Sequence, residues 1–234
     1  MTEIPQKLYR LFKGSKKAHG TFSIEKTSDI KQKGVGKTVR SGGAELKHWE
    51  AHVGGEYGLG VIPITENNKV SWGCIDVDVY PLDLAHIVTL VEHQNFPLVV
   101  CRSKSGGAHV FLFTKDPVPA GDMQDKLREL SAALGHGGVE IFPKQREILV
   151  ERNDVGSWLN MPYFGGEGST RYGYNQEAKT LTPEEFLSFV ESRKITHNEL
   201  LKIKVPTVDD IKGGPPCLKV LLKQGFPEGT RNNG

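Results

Sequence analysis

Cysteine is scarce in this 234-residue chain, and no long hydrophobic run occurs. The three cysteines, Cys74, Cys101 and Cys217, lie far apart and never form a Cys-x-x-Cys pair, which argues against a zinc ribbon and against a disulfide framework. No signal peptide and no membrane-spanning segment is visible, so we expect a cytoplasmic protein without membrane contact. A strong excess of charge is also absent. The net charge is +2, and any surface that attracts nucleic acid must therefore be local.

The first 68 residues predict a small α/β module. Helices are expected at 5–13 and 44–52, a strand at 20–26 followed by a polar Gly/Lys loop, and another strand in "YGLGVIPI". The first forty residues are rich in lysine, which suits either a phosphate-binding surface or a solvated face. "GVGKT" at 34–38 lacks the glycine that a P-loop needs at position 31, where Lys31 stands, so we reject it as a nucleotide site.

Residues 69–175 show a more regular pattern, which predicts the order β-α-β-β-α-β. Its elements are a strand in "SWGCIDVDVY", a helix at 82–95, the strands "PLVVC" and "HVFLF", a helix capped by Asp122 and stopped by Gly135, and the strand "VEIF". In such a sheet the first strand lies between the third and the fourth, and one face stays open. Residues 176–205 continue into helices, beginning with a capping box at Thr182. Residues 206–234 predict a linker and the start of a truncated helical domain, so we expect a longer polypeptide.

Two aspartates interrupt the apolar strand "IDVDV". Strand alternation puts Asp76 and Asp78 on the same side, roughly 7 Å apart, too close for two unpartnered charges in a poorly solvated place. Glu140, in the last strand of the same sheet, supplies a third carboxylate. Such oxygen ligands suit Mg²⁺ or Mn²⁺, and two such ions clamp the attacking and leaving oxygens in phosphoryl or nucleotidyl transfer. The alternative is an edge strand with exposed acids.

The loop "RSKSGGAH" joins the second and third strands of this sheet. Glycines let the backbone approach a ligand, and their amides can bind an anion. A tight hairpin turn also needs glycine, but it requires neither the lysine nor the histidine. We therefore expect a triphosphate site built from this loop and from two residues beyond the third carboxylate: Ser103, Lys104, Ser105, Gly106, Gly107, His109, Lys144 and Gln145. The other histidines show no metal-ligand spacing, and we expect surface or capping roles for them.

These motifs resemble the archaeo-eukaryotic primase superfamily. The family is marked by an acid-x-acid strand, a small-residue loop ending in histidine, and a later strand with one acid, here "IDVDV", "SKSGGAH" and "VEIF". "GLGVIPI", "EIFPKQ" and "LNMPYFGG" are further similar to primase-polymerases of phage and plasmid replication proteins. The resemblance implies an α+β primase fold, with an RRM-like β-α-β-β-α-β catalytic core and a small N-terminal α/β module. It assigns two Mg²⁺ or Mn²⁺ ions, and no zinc, to Asp76, Asp78 and Glu140, and the triphosphate to His109 and its loop.

The resemblance predicts a DNA primase-polymerase, which joins nucleoside triphosphates to a primer or to a first nucleotide on single-stranded DNA. Template would lie along the open sheet face and the basic N-terminal region. Phage or plasmid replication is the expected setting, with a helicase domain on the same polypeptide. One alternative is a metal-dependent nuclease, which needs the carboxylates but no triphosphate site. Another is a non-catalytic module that binds single-stranded nucleic acid through exposed aromatic side chains.

Overall fold

A computed structural model describes residues 3–24 and 34–205. The helices in these ranges are α1 (Glu3–Leu11), α2 (Leu46–Val53), α3 (Leu84–His93), α4 (Ala120–Ala133), α5 (Pro183–Arg193) and α6 (His197–Lys202). The strands are β1 (His19–Ile24), β2 (Gly34–Val39), β3 (Gly58–Val61), β4 (Lys69–Val77), β5 (Leu98–Arg102), β6 (Ala108–Pro119), β7 (Glu140–Phe142) and β8 (Leu159–Asn160). The predicted linker and helical domain at 206–234 lie outside the described residues.

The sheet that carries the predicted motifs has the strand order β5-β6-β4-β7. Every neighbouring pair in it is antiparallel. The first strand of the unit, β4, therefore lies between the third and the fourth, and α3 and α4 connect the strands as expected. This confirms the predicted β-α-β-β-α-β order. Helix α4 packs on the face of β4 that carries Gly73, where a Cβ would meet the side chains of Leu127 and Met123.

A second antiparallel sheet has the order β2-β1-β3-β8. Strand β2 covers "GVGKTV", so the prediction of a polar loop there was wrong at 34–39. The glycines disfavour a strand in isolation, but pairing of six residues with β1 satisfies the backbone hydrogen bonds. Strand β8 comes from the chain beyond the motifs and pairs with β3, which brings distant segments into one sheet.

One apolar core fills the space between the two sheets and the helices α1, α2 and α5. The ring of Phe12, which directly follows α1, lies 5.4 Å from the rings of Trp72 and Phe111, centroid to centroid. Trp72 and Phe111 belong to the same sheet face as Asp76, because side chains alternate along a strand. The expectation that this face is open was wrong along most of its length. The end at Asp76 and Asp78 is uncovered.

Of the two predicted helix caps, one is confirmed and one was wrong. Thr182 caps α5 and forms the predicted capping box with Glu185. Helix α4 begins at Ala120 with Pro119 as its N-cap, so Asp122 is not the cap that was predicted but lies in the first turn. Its carboxylate is 2.7 Å from Nε2 of His197 in α6, a tertiary contact that sequence spacing cannot show. Among the described residues, no helix is both long and apolar enough to cross a bilayer.

The expectation of surface or capping roles was wrong for His52, which is fully buried in α2. Its Nδ1 accepts a hydrogen bond of 2.9 Å from the amide of Leu59, and its Nε2 donates one of 2.8 Å to the carbonyl of Pro162. Burial lowers the pKa of His52 to about 4, so the ring is neutral and acts as a structural link. His48, in contrast, does form a capping box with Glu45.

Candidate active site

Strand pairing brings three of the predicted side chains into one row. Asp76 on the central strand β4 is the register partner of His109 on β6 and of Glu140 on β7. Because register partners project from the same face of a sheet, the row runs Glu140, Asp76, His109. Nε2 of His109 lies 3.5 Å from Oδ1 of Asp76, which is contact without a short hydrogen bond.

Asp76 is the best fixed of the three carboxylates. It sits near the end of β4, partly buried, while Asp78 and Glu140 are exposed. Burial, followed by the charges of Asp78 and Glu140, raises the pKa of Asp76 to about 6. The ammonium of Lys144 opposes this shift and lies 2.8 Å from Oε2 of Glu140. The site thus concentrates negative charge, and Lys144 neutralises only part of it.

Asp78 connects the carboxylates to the loop between β5 and β6. It follows the last residue of β4 and accepts hydrogen bonds from the hydroxyl groups of Tyr80 and Ser105, the latter at 3.1 Å. Ser105 belongs to the small-residue loop that was predicted to hold a triphosphate. The structure therefore brings the loop and the carboxylates together at the uncovered end of the sheet.

The loop itself is a tight turn that needs its two glycines. The amide of Ser103 donates to the carbonyl of Gly107 over 2.8 Å. Gly106 has a φ of +97°, which other residues rarely adopt, and a Cβ on Gly107 would lie 2.3 Å from the carbonyl oxygen of Val77. The turn explains the glycines but not Lys104, whose Nζ lies 3.2 Å from the centroid of the Phe22 ring on β1.

His109 is buried and uncharged near neutral pH. Burial, and next the positive charge of Arg171, lower the pKa of His109 to about 4. A neutral imidazole can donate one hydrogen bond and accept another, but it adds no positive charge. Any cationic contribution to anion binding must therefore come from neighbouring side chains.

Arg171 is the neighbour that the sequence prediction missed. Residues 171–174 run along the edge strand β5, with a bridge between Cys101 and Gly173, and alternation puts Arg171 on the face of Asp76 and His109. Its guanidinium is buried against the ring of Phe164, 5.2 Å from the centroid, and Nη1 has no hydrogen-bond partner among the described residues. Its charge lowers the pKa values of both His109 and Lys104. No motif marks Arg171, and only the pairing with β5 places it here.

Gln145 occupies a different position from Lys144. Its side-chain amide donates to the hydroxyl of Ser157 over 3.2 Å and accepts from the amide of Ser157 over 3.2 Å. Lys144 contacts Glu140, whereas Gln145 is hydrogen bonded to Ser157 in the segment that precedes β8. The two residues thus lie at the boundary between the carboxylates and the second sheet.

The donor set suits a divalent cation. Carboxylate oxygens are hard ligands of the kind that Mg²⁺ and Mn²⁺ take, and burial, followed by the charges of Asp78 and Glu140, raises the pKa of Asp76. Within residues 3–24 and 34–205, no group of three or more His, Cys, Asp or Glu side chains is arranged so that it could hold a metal ion. Asp78 and Glu140 are both exposed; Asp78 contacts Tyr80 and Ser105, and Glu140 contacts Lys144.

Comparison with known proteins gives a match to a family model and similarity to solved structures. The family model described as the archaeo-eukaryotic primase domain of the TOTE conflict system matches residues 25–202. Among solved structures, the chain is similar to the archaeo-eukaryotic primase domain of the primase-polymerase of cyanophage S-2L. That match has 16% identity and a TM-score of 0.41, and it covers 80% of this chain and 96% of the other. No curated protein matches the chain.

Proposed function

Because the chain belongs to the family of archaeo-eukaryotic primase domains of TOTE conflict systems, a family of nucleotidyltransferase type, we propose a specific reaction for it. The domain adds nucleotides from nucleoside triphosphates to a 3′-hydroxyl group on a single-stranded DNA template. One observation carries the proposal. The carboxylates of Glu140 and Asp76 share one row with His109, and this row meets the loop of Ser105 at Asp78.

Asp76, Asp78 and Glu140 would hold divalent cations, Mg²⁺ or Mn²⁺. Bound cations of this kind lower the pKa of an attacking hydroxyl and neutralise charge on the phosphates. Asp76 is the fixed ligand, because β4 is paired on both sides at this residue. Asp78 and Glu140 are the adjustable ligands, since both are exposed and exchange one partner for another at low cost.

The triphosphate would lie against the loop and the guanidinium of Arg171. Lys104 and Arg171 supply the positive charges, and Ser105 and the neutral His109 supply hydrogen bonds. Arg171 is already buried, and in the part of the chain that the structure describes no acceptor is bonded to its Nη1. A phosphate oxygen is the acceptor that a guanidinium fork suits best.

The biological setting is a separate matter from the reaction. The description of the matched family names a conflict system, whereas the sequence motifs were similar to those of phage and plasmid replication proteins. Replication and a helicase on the same polypeptide therefore remain predictions. The proposal concerns the chemistry of the site, which is the same in either setting.

Primer extension tests the proposal. The assay contains single-stranded template, Mg²⁺ or Mn²⁺, and deoxyribo- or ribonucleoside triphosphates, with and without a primer. We expect the wild type to extend the strand and Asp76→Asn to lose extension by at least about 100-fold. Since Asn removes a poorly solvated charge, Asp76→Asn should unfold no more easily than wild type. Asp116→Asn, which changes an exposed acid on β6, is the matched control and should keep full activity.

The products distinguish the alternatives. Extension of a primer only would identify a polymerase core, and products without a primer would identify a primase. Shortening of the template without extension, also lost in Asp76→Asn, would refute the proposal and favour the nuclease. Unchanged extension by Asp76→Asn would remove the row of carboxylates from the chemistry.

A further inference from the structure

A tryptophan lies flat on three glycines of the second sheet. A Cβ would lie 2.2 Å from the Trp158 indole at Gly20, 2.3 Å at Gly60 and 3.1 Å at Gly36. These glycines come from three neighbouring strands, β1, β3 and β2, so the indole spans the sheet surface. Glycine inside a strand commonly marks the close approach of another group. Here that group is Trp158, whose Nε1 donates to Oγ1 of Thr38 over 3.1 Å.

The exposure of Trp158 distinguishes it from the other two tryptophans. Trp49 and Trp72 are fully buried, whereas Trp158 is partly exposed. One π-face of Trp158 rests on the glycines, so that face is not part of its exposed surface. A flat aromatic surface backed by a rigid sheet is what a stacked nucleic-acid base requires.

The chain segments that follow Thr38 and precede Trp158 both line a basic pocket. It has a volume of about 570 Å³ and is lined by Lys16, Lys17 and Arg40 together with residues 41–42 and 153–155. Arg40 follows β2, the strand of Thr38, and its Nη1 donates to the carbonyl of Asn153 over 2.9 Å. In the described parts of the chain no ion pair involves Lys16, Lys17 or Arg40, and Asp154 is the one acid in the lining. The charge of the pocket is therefore complementary to phosphate.

Two contacts join this surface to the candidate active site. Ser157, next to Trp158, is hydrogen bonded to Gln145, which follows the Lys144 that contacts Glu140. On the same face of the sheet, the ring of Phe22 contacts the ammonium of Lys104, which belongs to the loop between β5 and β6. Lys104, Phe22 and Trp158 therefore lie between the carboxylates and the basic pocket.

We propose that Trp158 and the pocket of Lys16, Lys17 and Arg40 form the binding surface for the single-stranded DNA template, with a base stacked on Trp158 and phosphates in the pocket. This inference rests on the proposed function, since it names the path of the template that the reaction uses. It also explains the three glycines, because they let the indole lie flat enough to present a whole face.

Tryptophan fluorescence tests the stacking directly in the unmodified protein. Oligothymidylate is titrated into the wild type, and emission and acrylamide quenching are measured. We expect the emission of Trp158 to fall and its residual emission to become protected from acrylamide, since Trp49 and Trp72 are already buried. Unchanged emission and unchanged acrylamide access at saturating DNA, with saturation shown by anisotropy of labelled DNA, would overturn the inference.

Two sets of variants separate stacking from charge. Trp158→Leu should weaken oligothymidylate binding by about 5- to 150-fold, the range for one stacked base, and Trp158→Phe should recover much of this loss. Replacing Lys16, Lys17 and Arg40 together by alanine should reduce the slope of log K against log salt by about 2. The matched control replaces Lys7, Lys47 and Lys179, which carry the same total charge but pair with glutamates. Equal loss of affinity and slope in both triple variants would refute the pocket.

Failure of this inference is distinguishable from failure of the proposed function. Binding is measured without nucleotides and needs no catalysis. Primer extension together with unaltered Trp158 emission would refute the template surface and leave the reaction standing. Quenching of Trp158 without any extension would support the surface and count against the reaction.

Discussion

Replacing Arg171 by methionine should weaken nucleoside triphosphate binding without weakening the fold. Most buried arginines stabilise a protein through paired hydrogen bonds, and removal of one partner is costly. Arg171 differs, because it is buried while its Nη1 has no hydrogen-bond partner within residues 3–24 and 34–205. Methionine has a similar length and no charge, and it keeps the apolar contact with Phe164. The free energy of unfolding of Arg171→Met should therefore equal or exceed that of the wild type.

The size of the effect on binding follows from the missing hydrogen bond. A hydrogen bond to a charged group contributes about 1.5–3 kcal/mol, which corresponds to about a 10- to 150-fold change in affinity. We expect KM for the incoming triphosphate to rise by this factor in Arg171→Met. The KM of Arg171→Lys should lie between those of the wild type and Arg171→Met, because lysine keeps the charge but lacks the planar guanidinium. Steady-state extension with varied triphosphate gives KM, and urea unfolding gives the free energy.

Arg193 offers a matched control. Its guanidinium also lies on a phenylalanine, 4.7 Å from the centroid of the Phe189 ring, but it is paired with Glu92 at 2.6 Å and with the carbonyl of Phe96 at 3.3 Å. Arg193→Met should lose about 1–3 kcal/mol of stability and leave KM unchanged. If Arg171→Met behaved like Arg193→Met, with lower stability and an unaltered KM, Arg171 would be a structural residue and the reasoning would be wrong.

Two further predictions concern backbone space and pH. Gly107→Ala should destabilise the protein by about 1–3 kcal/mol and lower extension activity, because its Cβ would push on the Val77 carbonyl. Gly168→Ala, with open space around its Cβ, is the control in the same unfolding and extension assays, and equal stability of the two variants would contradict the prediction. Because the pKa of His52 is lowered to about 4, the unfolded state binds more protons between about pH 6.5 and 4, and stability falls as pH falls through that interval. The full loss is about 3 kcal/mol, so the difference in unfolding free energy between wild type and His52→Gln should change by this amount, and a difference that stays constant with pH would contradict the prediction.

The sequence predicted the part of the site that depends on local pattern. Alternation in "IDVDV" put Asp76 and Asp78 on one side, and the order of elements implied that Glu140 and His109 flank them. The observed register agrees with this order. The capping box at Thr182 was also predictable, since it depends on residues three positions apart.

Arg171 and Trp158 were not predictable, because their positions depend on pairing between distant segments. Arg171 reaches the site through the alignment of residues 171–174 with β5, and Trp158 meets the glycines of three strands only after β8 joins β3. The closed sheet face was missed for the same reason, because helices from both ends of the chain cover it.

The sequence by itself determined which residue types the chain offers for chemistry and the order of the strands that carry them. These properties follow from side-chain alternation and local turn geometry, which act within a few residues. Tertiary structure alone decided which part of the sheet stays uncovered, which guanidinium is buried without a partner, and which tryptophan faces outward. Burial is a property of the whole packed chain, so the pKa values of Asp76 and His109 could emerge only from the fold.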